Sequence, residues 1–303
     1  LINEGSKNTF LGFCAGNTNT SGSANVAIGY NVELASATGD KQFIIGCGSS
    51  WWICGDSSFN VYDKDGNSFG FGADADVNLF ANNTCSGCNL DGSNGCYNIF
   101  LGGCAGKSVT SGDNNILIGC HAGCKLDEGR DNIAIGKEAG CELTGSATKC
   151  NTIIGAKAGK NVTTGCYNTL YGSNAGCSIS SGSGNVAIGH CAGAAENAST
   201  GSQNVTIGCK AGCDMGVGYK NIVIGALAAT KLCCGYNNFF AGEYAARCSN
   251  GNLNVAIGRH AGGFVSASTG SYNVAFGDRA LCNLTGGGHN VALGMAAGAC
   301  ATS

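Results

Sequence analysis

Residues 113–141 read DNNILIGCHAGCKLDEGRDNIAIGKEAGC, and this stretch contains the same phrase twice. The phrase consists of Asn, three apolar residues, Gly, two variable positions and Ala-Gly. Its two copies begin 17 residues apart, at Asn115 and Asn132. A short unit that returns at a fixed spacing is typical of repeat architectures, in which each unit buries its apolar face only against its neighbours.

The phrase extends over most of the chain. Alignment on N-x-x-x-G gives fifteen rows that begin at Asn8 and end with the row of Asn290, and from Asn98 onward the rows are 16 to 19 residues apart. Gly lies four residues after the first position in every row, and Gln42 is the one first position that is not Asn. The central rows therefore supply two ladders of equivalent residues: Asn115, Asn132, Asn151, Asn168 and Asn185, and Gly119, Gly136, Gly155, Gly172 and Gly189.

The unit predicts strands and turns. Gly and Asn are poor helix formers, and about 17 residues are too few for two packed helices. The segment NVAIG reads as a short strand with Val and Ile on one face. A second apolar position, as at Val109 and Leu126, lies eleven residues after the Asn and predicts a second strand. We therefore expect an all-β fold, a β-solenoid or β-roll of about 15 stacked coils of about 17 residues. Asn side chains would be hydrogen-bonded up the stack, and Gly would supply positive φ or close backbone approach at a corner.

The composition excludes several classes of protein. The chain of 303 residues has 53 Gly and no Pro, only 12% of its residues are charged, and its net charge is −3. Collagen needs Gly at every third position together with Pro, and a disordered chain has fewer apolar residues than the 44% found here. A net charge of −3 does not indicate a basic patch for nucleic acid. The chain has no run of 18 apolar residues, so the sequence does not predict membrane insertion. The absence of Pro indicates a backbone whose N–H groups are nearly all hydrogen-bonded.

The middle residue of each strand predicts self-association. If Val and Ile face the coil core, side-chain alternation turns the residue two after the Asn outward. None of these fifteen residues is charged, so they would form an apolar stripe along the rod, which is typical of a partner surface. We expect an inter-chain face between parallel copies of the chain that includes Leu117, Ala134, Ile153, Leu170 and Ala187. The alternative is a wide coil that encloses both faces within one chain.

The repeat pauses once. Its rows predict N-terminal solenoid coils in 1–46, a non-repeat insert in 47–97 and the main solenoid in 98–303. In the insert, FNVYDKDGNSFGFG (59–72) predicts a β-hairpin with an Asp-Gly turn. Asp63, Asp65, Asn67 and Asp74 have part of the spacing of a calcium loop but lack its bidentate Glu. Trp51 and Trp52 are expected to cap the first stack, with stacking on sugar rings as the alternative.

The chain has 21 cysteines, many of which recur at fixed positions of the repeat. One set lies nine residues after the Asn: Cys124, Cys141, Cys177, Cys213 and Cys282. Cys124 and Cys141 fall in adjacent coils, whose spacing is compatible with a disulfide, so thiols and a bond both remain open for this pair. The one C-x-x-C, Cys85 with Cys88, lacks the second tight pair of a zinc site. We therefore predict no metal site, and reduced, buried thiols for most of the set.

No catalytic constellation is apparent. The histidines His121, His190, His260 and His289 lie in different coils, and no nucleophile elbow, Walker loop or cofactor motif occurs. Asp127, Glu128, Asp131 and Glu138 are close enough in sequence to suggest a glycosidase pair, but they are typical of solvated turn charges. We expect a protein without enzymatic activity and without a cofactor.

The repeat resembles two groups of proteins. NVAIG at 25–29, 185–189 and 254–258 resembles the head repeats of trimeric autotransporter adhesins, which form β-roll trimers. The longer units, such as YNTLYGSNAGCSISSGSGNVAIGHCAG (167–193), and the stretch QFIIGCGSSWWICGDSSFNV (42–61) are similar to tail-fibre and other structural proteins of tailed phages, especially cyanophages. The unit length departs from the adhesin pattern.

This resemblance implies a parallel homotrimer on a virion. It would be assembled in host cytoplasm beside other virion proteins and would attach to host-surface polysaccharide or protein. The alternatives are a bacterial trimeric surface adhesin and a polysaccharide-degrading tailspike. Turns in the 19-residue coils, at 196–199 and 264–268, are the expected exposed loops.

Overall fold

The computed structural model describes residues 4–48, 50–55, 61–63, 79–81, 86–90, 95–194, 199–232, 234–263 and 269–301. Within these ranges the regular elements are β-strands, and no helix occurs. The strands are β1 Thr9–Leu11, β2 Val26–Tyr30, β3 Phe43–Cys47, β4 Ser50–Gly55, β5 Val61–Asp63, β6 Leu79–Ala81, β7 Ile99–Leu101, β8 Ile116–Ile118, β9 Ile133–Ile135, β10 Thr152–Ile154, β11 Thr169–Tyr171, β12 Val186–Ile188, β13 Val205–Ile207, β14 Ile222–Ile224, β15 Phe239–Ala241, β16 Val255–Ile257, β17 Val274–Phe276 and β18 Val291–Leu293.

The strands stack in chain order. β6 to β18 form a 13-stranded sheet in which each strand pairs in parallel with the next. Equivalent residues of neighbouring repeats are direct partners, as Ile116 with Ile133 and Leu117 with Ala134. β1 to β3 form the same parallel arrangement in a second sheet. The chain is thus an all-β parallel solenoid of about 14 turns of roughly 17 residues, and the predicted fold class is confirmed.

Each coil contributes one short strand rather than two. The second apolar position is buried, as expected of a core residue, but its backbone lies in turns; Val109, Leu126 and Leu143 are all fully buried. Only isolated bridges occur on this side among the described residues, for example between Ile179 and Ser199. The prediction of a second strand was wrong because a side chain can point into the core from a turn as well as from a strand.

The turns are hydrogen-bonded from coil to coil like the strands. The N–H of Gly123 donates to the carbonyl of Ala139 at 2.9 Å, and the N–H of Gly140 donates to Ala158 at 3.0 Å. These Ala-Gly pairs occupy the same register in adjacent coils, and their alanines are fully buried. A Pro in most of these positions would remove an inter-coil hydrogen bond, which explains its absence.

The two faces of the strand are the reverse of those predicted. The middle residues assigned to an inter-chain face all lie inside the single chain with at most 1% exposure: Leu117, Ala134, Ile153, Leu170 and Ala187. The physical reason is parity. The Asn that opens each coil from Asn98 to Asn273 is buried, and side chains two apart share a face, so the middle residue must also point inward.

The insert is shorter than predicted. β6 lies inside 47–97, yet it pairs in register with β7, Leu79 opposite Ile99, so the main sheet starts before residue 98. The coil was missed because Asn82 stands where other rows have the corner Gly. At the other end of the insert, β4 pairs antiparallel with β3, and β5 with β4. The second half of the predicted hairpin and Asp65, Asn67 and Asp74 of the calcium alternative lie outside the described residues.

Candidate functional site: the ladders and the outer face

The asparagines form a continuous hydrogen-bonded ladder inside the solenoid. The side-chain carbonyl of Asn115 accepts from the backbone N–H of Asn132 at 3.1 Å and from its amide nitrogen at 3.2 Å. The amide of Asn115 donates to the carbonyl of Gly129 at 2.8 Å and to the side chain of Asn98 at 3.1 Å. Asn151, Asn168 and Asn185 repeat this pattern. Each of these buried side-chain amides therefore has hydrogen-bond partners in the preceding and in the following coil, as a buried polar group requires.

The corner glycines bring successive coils together. Gly119, Gly136, Gly155, Gly172 and Gly189 have φ between +128° and +133°, a conformation open to Gly and strained for other residues. A Cβ on Gly119 would lie 2.6 Å from the carbonyl carbon of Gly136. Two requirements thus act on the same position, the dihedral angle and the space.

At two further corners of most coils, residues other than Gly adopt a left-handed backbone conformation. The residue six after the Asn, as His121 (φ 58°) or Lys157 (φ 58°), and the residue just before the Asn, as Asp131 (φ 59°) or Lys220 (φ 55°), have positive φ in almost every described coil. The N–H of His121 donates to Gly103 of the preceding coil at 2.8 Å, and such bonds offset the strain. The sequence predicts a turn at the two variable positions but not this left-handed backbone, because residues such as Lys157 and Lys220 carry no signal for it.

The outer face of the sheet is an apolar stripe. We call the residues one and three positions after each Asn the outer stripe. It contains Val, Ile, Leu, Phe, Ala, Thr and Tyr, and no charged residue occurs in any of the fifteen rows. Its members range from half-buried to exposed in the chain: Tyr171 is 57% exposed, Phe276 54% and Ile224 38%. An exposed apolar surface therefore exists, but on the opposite side of the strand from the predicted one.

The cysteine register brings two thiols together. The Sγ atoms of Cys124 and Cys141 are 3.0 Å apart in adjacent coils. Burial, followed by the contact with Cys124, raises the pKa of Cys141 to about 12. Cys213 and Cys282 face the carbonyls of Thr230 and Ala299 in the next coils. Cys177 instead lies 3.7 Å from the hydroxyl of the adjacent Ser178.

The histidines are distributed along the stack. His260 stacks on Tyr244 and His289 on Tyr272, with ring centroids 5.0 and 4.8 Å apart. His190 Nε2 lies 3.4 Å from Cys191 Sγ, but burial raises the pKa of Cys191, the opposite of what an activated nucleophile needs.

The candidate carboxylates hold neighbouring coils together. Glu138 accepts from Lys160 Nζ at 2.6 Å, and this contact lowers the pKa of the carboxyl group. The hydroxyl of Thr110 donates to the carboxylate of Asp127 in the next coil at 2.6 Å. Lys125 and Glu142 form a similar inter-coil pair at 2.6 Å. These contacts are at the surface, where each ion pair contributes little to stability.

Comparison with known protein families, with curated proteins and with solved structures finds no significant match. In the described part of the chain, no helix is long and apolar enough to cross a bilayer. The same ranges contain no group of three or more His, Cys, Asp or Glu side chains placed to hold a metal ion.

Proposed function

We propose that this chain is a structural and adhesive segment of a phage tail fibre, either shaft or head, which works as a parallel homotrimer and supports attachment to a host surface. The observation that carries the proposal is the combination of an unbroken coil-to-coil register with an uncharged outer stripe along the whole sheet. The first makes the chain a rod, and the second gives the rod a surface for its own copies.

The rod is long for the size of the chain. The main sheet of 13 strands has twelve intervals of roughly 4.8 Å, which gives a length of about 58 Å. Each interval is held by strand, turn and Asn-ladder hydrogen bonds, so bending would stretch many bonds at once. This rigidity suits a part that keeps a binding surface away from the body of a particle.

The area of the outer stripe favours self-association. A strip about 58 Å long and on the order of 10 Å wide offers roughly 600 Å². This is at the upper limit of apolar patches on monomers and approaches the roughly 800 Å² per partner of a stable interface. Since the repeat is regular, a second copy of the rod matches the stripe along its full length in parallel orientation.

Immunogold labelling tests the assignment. Antibodies raised against the purified chain are applied to virions and to bacterial cells from a culture that produces it. Label on virion appendages, together with inhibition of phage adsorption by the purified protein, supports the proposal. Label on the bacterial envelope alone would favour a surface adhesin instead. Release of sugar fragments from host polysaccharide by the purified protein would identify it as a tailspike enzyme.

A further inference from the structure

A groove of about 490 Å³ lies along one corner of the solenoid, away from the outer stripe. Its walls come from five successive coils, those that begin at Asn168, Asn185, Asn204, Asn221 and Asn238. One wall is formed by residues six after the Asn, including Asn174 and Lys210, and the other by residues nine and ten after it. With coils at roughly 4.8 Å, the groove follows the rod axis for about 20 Å.

The groove crosses an interruption of the repeat. Ala194 occupies the register that holds Cys177 in the preceding coil and Cys213 in the following one. Its side chain is smaller than the half-buried thiols of Cys177 and Cys213. This interruption falls in a 19-residue coil, whereas the flanking rows keep the cysteine. A binding site in a repeat protein is expected where the register is broken in this way.

The groove is electropositive in a chain whose net charge is −3. Lys210, Lys231 and Arg247 line it together with a single carboxylate, Asp214. In the described residues, no carboxylate forms an ion pair with Lys210 or Lys231. On the same side of earlier coils two of the cations are paired, since Lys125 pairs with Glu142 and Lys160 with Glu138, both at 2.6 Å. Lys210 and Lys231 are therefore available to an anion from solution, and Arg247 lies beside them with its guanidinium 5.6 Å from the centroid of the Tyr244 ring.

The remaining lining is suited to a carbohydrate. The side-chain amide of Asn174 donates to the hydroxyl of Ser173 at 3.3 Å and keeps its carbonyl oxygen as an acceptor. The hydroxyl of Thr230 donates to the carbonyl of Arg247 at 3.3 Å and can still accept a hydrogen bond. Leu227 and Ala194 add small apolar surfaces between these polar groups. An open, elongated site with spaced cations, hydrogen-bonding groups and apolar contacts matches a chain of acidic sugars better than a compact anion.

We propose that this groove binds a segment of an acidic polysaccharide, with carboxylate or sulfate groups on Lys210, Lys231 and Arg247 and sugar hydroxyls on Asn174 and Thr230. The choice of a polysaccharide rests on the proposed adhesive function, whereas the preference for an anion rests on the groove alone. The ligand would lie along the rod axis, so that each of the three copies in a trimer presents an equivalent site.

Binding of defined polymers tests the proposal. The probes are polygalacturonate and dextran sulfate, with neutral dextran and single-stranded DNA as comparisons, measured by calorimetry on the full chain. Polygalacturonate or dextran sulfate should bind, more weakly as salt increases, and dextran should not. The variant with Lys210→Gln, Lys231→Gln and Arg247→Gln should lose at least about tenfold in affinity, since each exposed ion pair contributes modestly. The matched control carries Arg130→Gln, Lys149→Gln and Lys220→Gln at exposed positions that do not line the groove, and it should bind like the unmodified chain.

A second variant separates shape from charge. Ala194→Phe adds bulk to the lining of the groove without changing the net charge and should also weaken binding, while circular dichroism and molar mass stay unchanged. Equal affinity for DNA, equal losses in the control variant, or no binding of either acidic polymer would overturn the proposal. So would dissociation of the oligomer in the groove variant, which would make the groove an inter-chain contact. If the antibodies do not label virions but the purified chain binds the acidic polymers, only the proposed function is contradicted.

Discussion

Each Asn of the ladder connects three segments of backbone at one buried point. Asn151 donates to the side chain of Asn132 at 3.0 Å and to the carbonyl of Gly165 at 2.9 Å. The side-chain carbonyl of Asn151 accepts from the backbone N–H of Asn168 at 3.0 Å and from the side-chain amide of Asn168 at 3.1 Å. Leaving these partners unpaired in the core has a larger cost than the bonds themselves contribute.

Asn151→Ala is therefore expected to destabilise the chain by about 2–4 kcal/mol, because it orphans several buried groups. The measurement is the free energy of unfolding in urea. Asn290→Ala is the matched control: Asn290 is half-buried, and among the described residues its side chain bonds only to Asn273, with no described coil beyond it. Its loss should cost less than half as much. Equal costs at the two sites would show that the ladder does not act through its inner partners.

The corner Gly separates two causes of destabilisation. Gly136 has φ +131°, and a Cβ there would lie 2.6 Å from the carbonyl carbon of Gly155. Gly294 has the same register and φ +115°, but a Cβ there would meet nothing within 4 Å. Gly294→Ala should cost only backbone strain, about 1–3 kcal/mol. Gly136→Ala adds a backbone clash and should cost clearly more, measured by urea unfolding. If the two losses match, close coil approach is not what selects Gly.

The pair Cys124 and Cys141 is poised for a disulfide, because the thiols are 3.0 Å apart in adjacent coils. Cys124 should attack oxidised glutathione to give a mixed disulfide, and Cys141 should then displace glutathione from the Cys124 sulfur. Since burial raises the pKa of Cys141 to about 12, the second step should accelerate as pH rises and alkylation of Cys141 should be at least about tenfold slower than that of exposed Cys120.

Mass spectrometry of the oxidised protein reads out this reaction. The expected product has lost two hydrogens and contains a peptide that links Cys124 to Cys141. In Cys141→Ser the glutathione adduct on Cys124 should persist, and Cys213, which has no thiol in the same register of an adjacent coil, should form no such link. A stable glutathione adduct on Cys124 in the unmodified chain would contradict the expectation.

At the scale of the strand, the interior is set by parity with the Asn. In β11, Leu170 is fully buried and Tyr171 is 57% exposed, so the smaller side chain belongs to the core. Leu170→Ala should lower stability by about 2–5 kcal/mol at every protein concentration. Tyr171→Ala should act mainly on association, so its effect should depend on concentration. Thermal unfolding over a hundredfold range of concentration distinguishes the two, and a concentration-independent loss for Tyr171→Ala would assign it to the core.

The repeat made the solenoid predictable, because its period and its Gly and Asn content leave few alternatives to stacked coils. The prediction of the two faces is wrong because it assigns the β-branched residues of NVAIG to the core, whereas they lie on the outer face of the sheet. A signal was present, since the Asn of the predicted ladder and the middle residue are two positions apart and therefore share a face. The groove at Ala194 and the left-handed corners at residues such as Lys157 could not be predicted, because both depend on how neighbouring coils meet.

At the scale of the whole molecule, reversal of the faces changes the argument for an oligomer. The residues first assigned to the interface are core, while the outer stripe is exposed and free of charge. A hydrophobic stripe on one side of a stiff rod is stable in water when it is covered, and a parallel copy covers all of it at once. Association should therefore be sensitive to a single charge anywhere on the stripe, since the rods cannot bend around it.

Ile224→Glu tests this at a position 38% exposed in the single chain, where a carboxylate can reach water and folding is retained. Three copies have three times the mass of the 30.1 kDa chain, about 90 kDa. Light scattering should give this mass for the unmodified protein and about a third of it for Ile224→Glu, because burial of an unpaired charge opposes association. Ala226→Glu is the matched control, since it adds the same charge to the same coil at an exposed corner off the stripe, and it should keep the larger mass. A monomeric unmodified chain, or equal dissociation in both variants, would place the contact elsewhere than on the outer stripe.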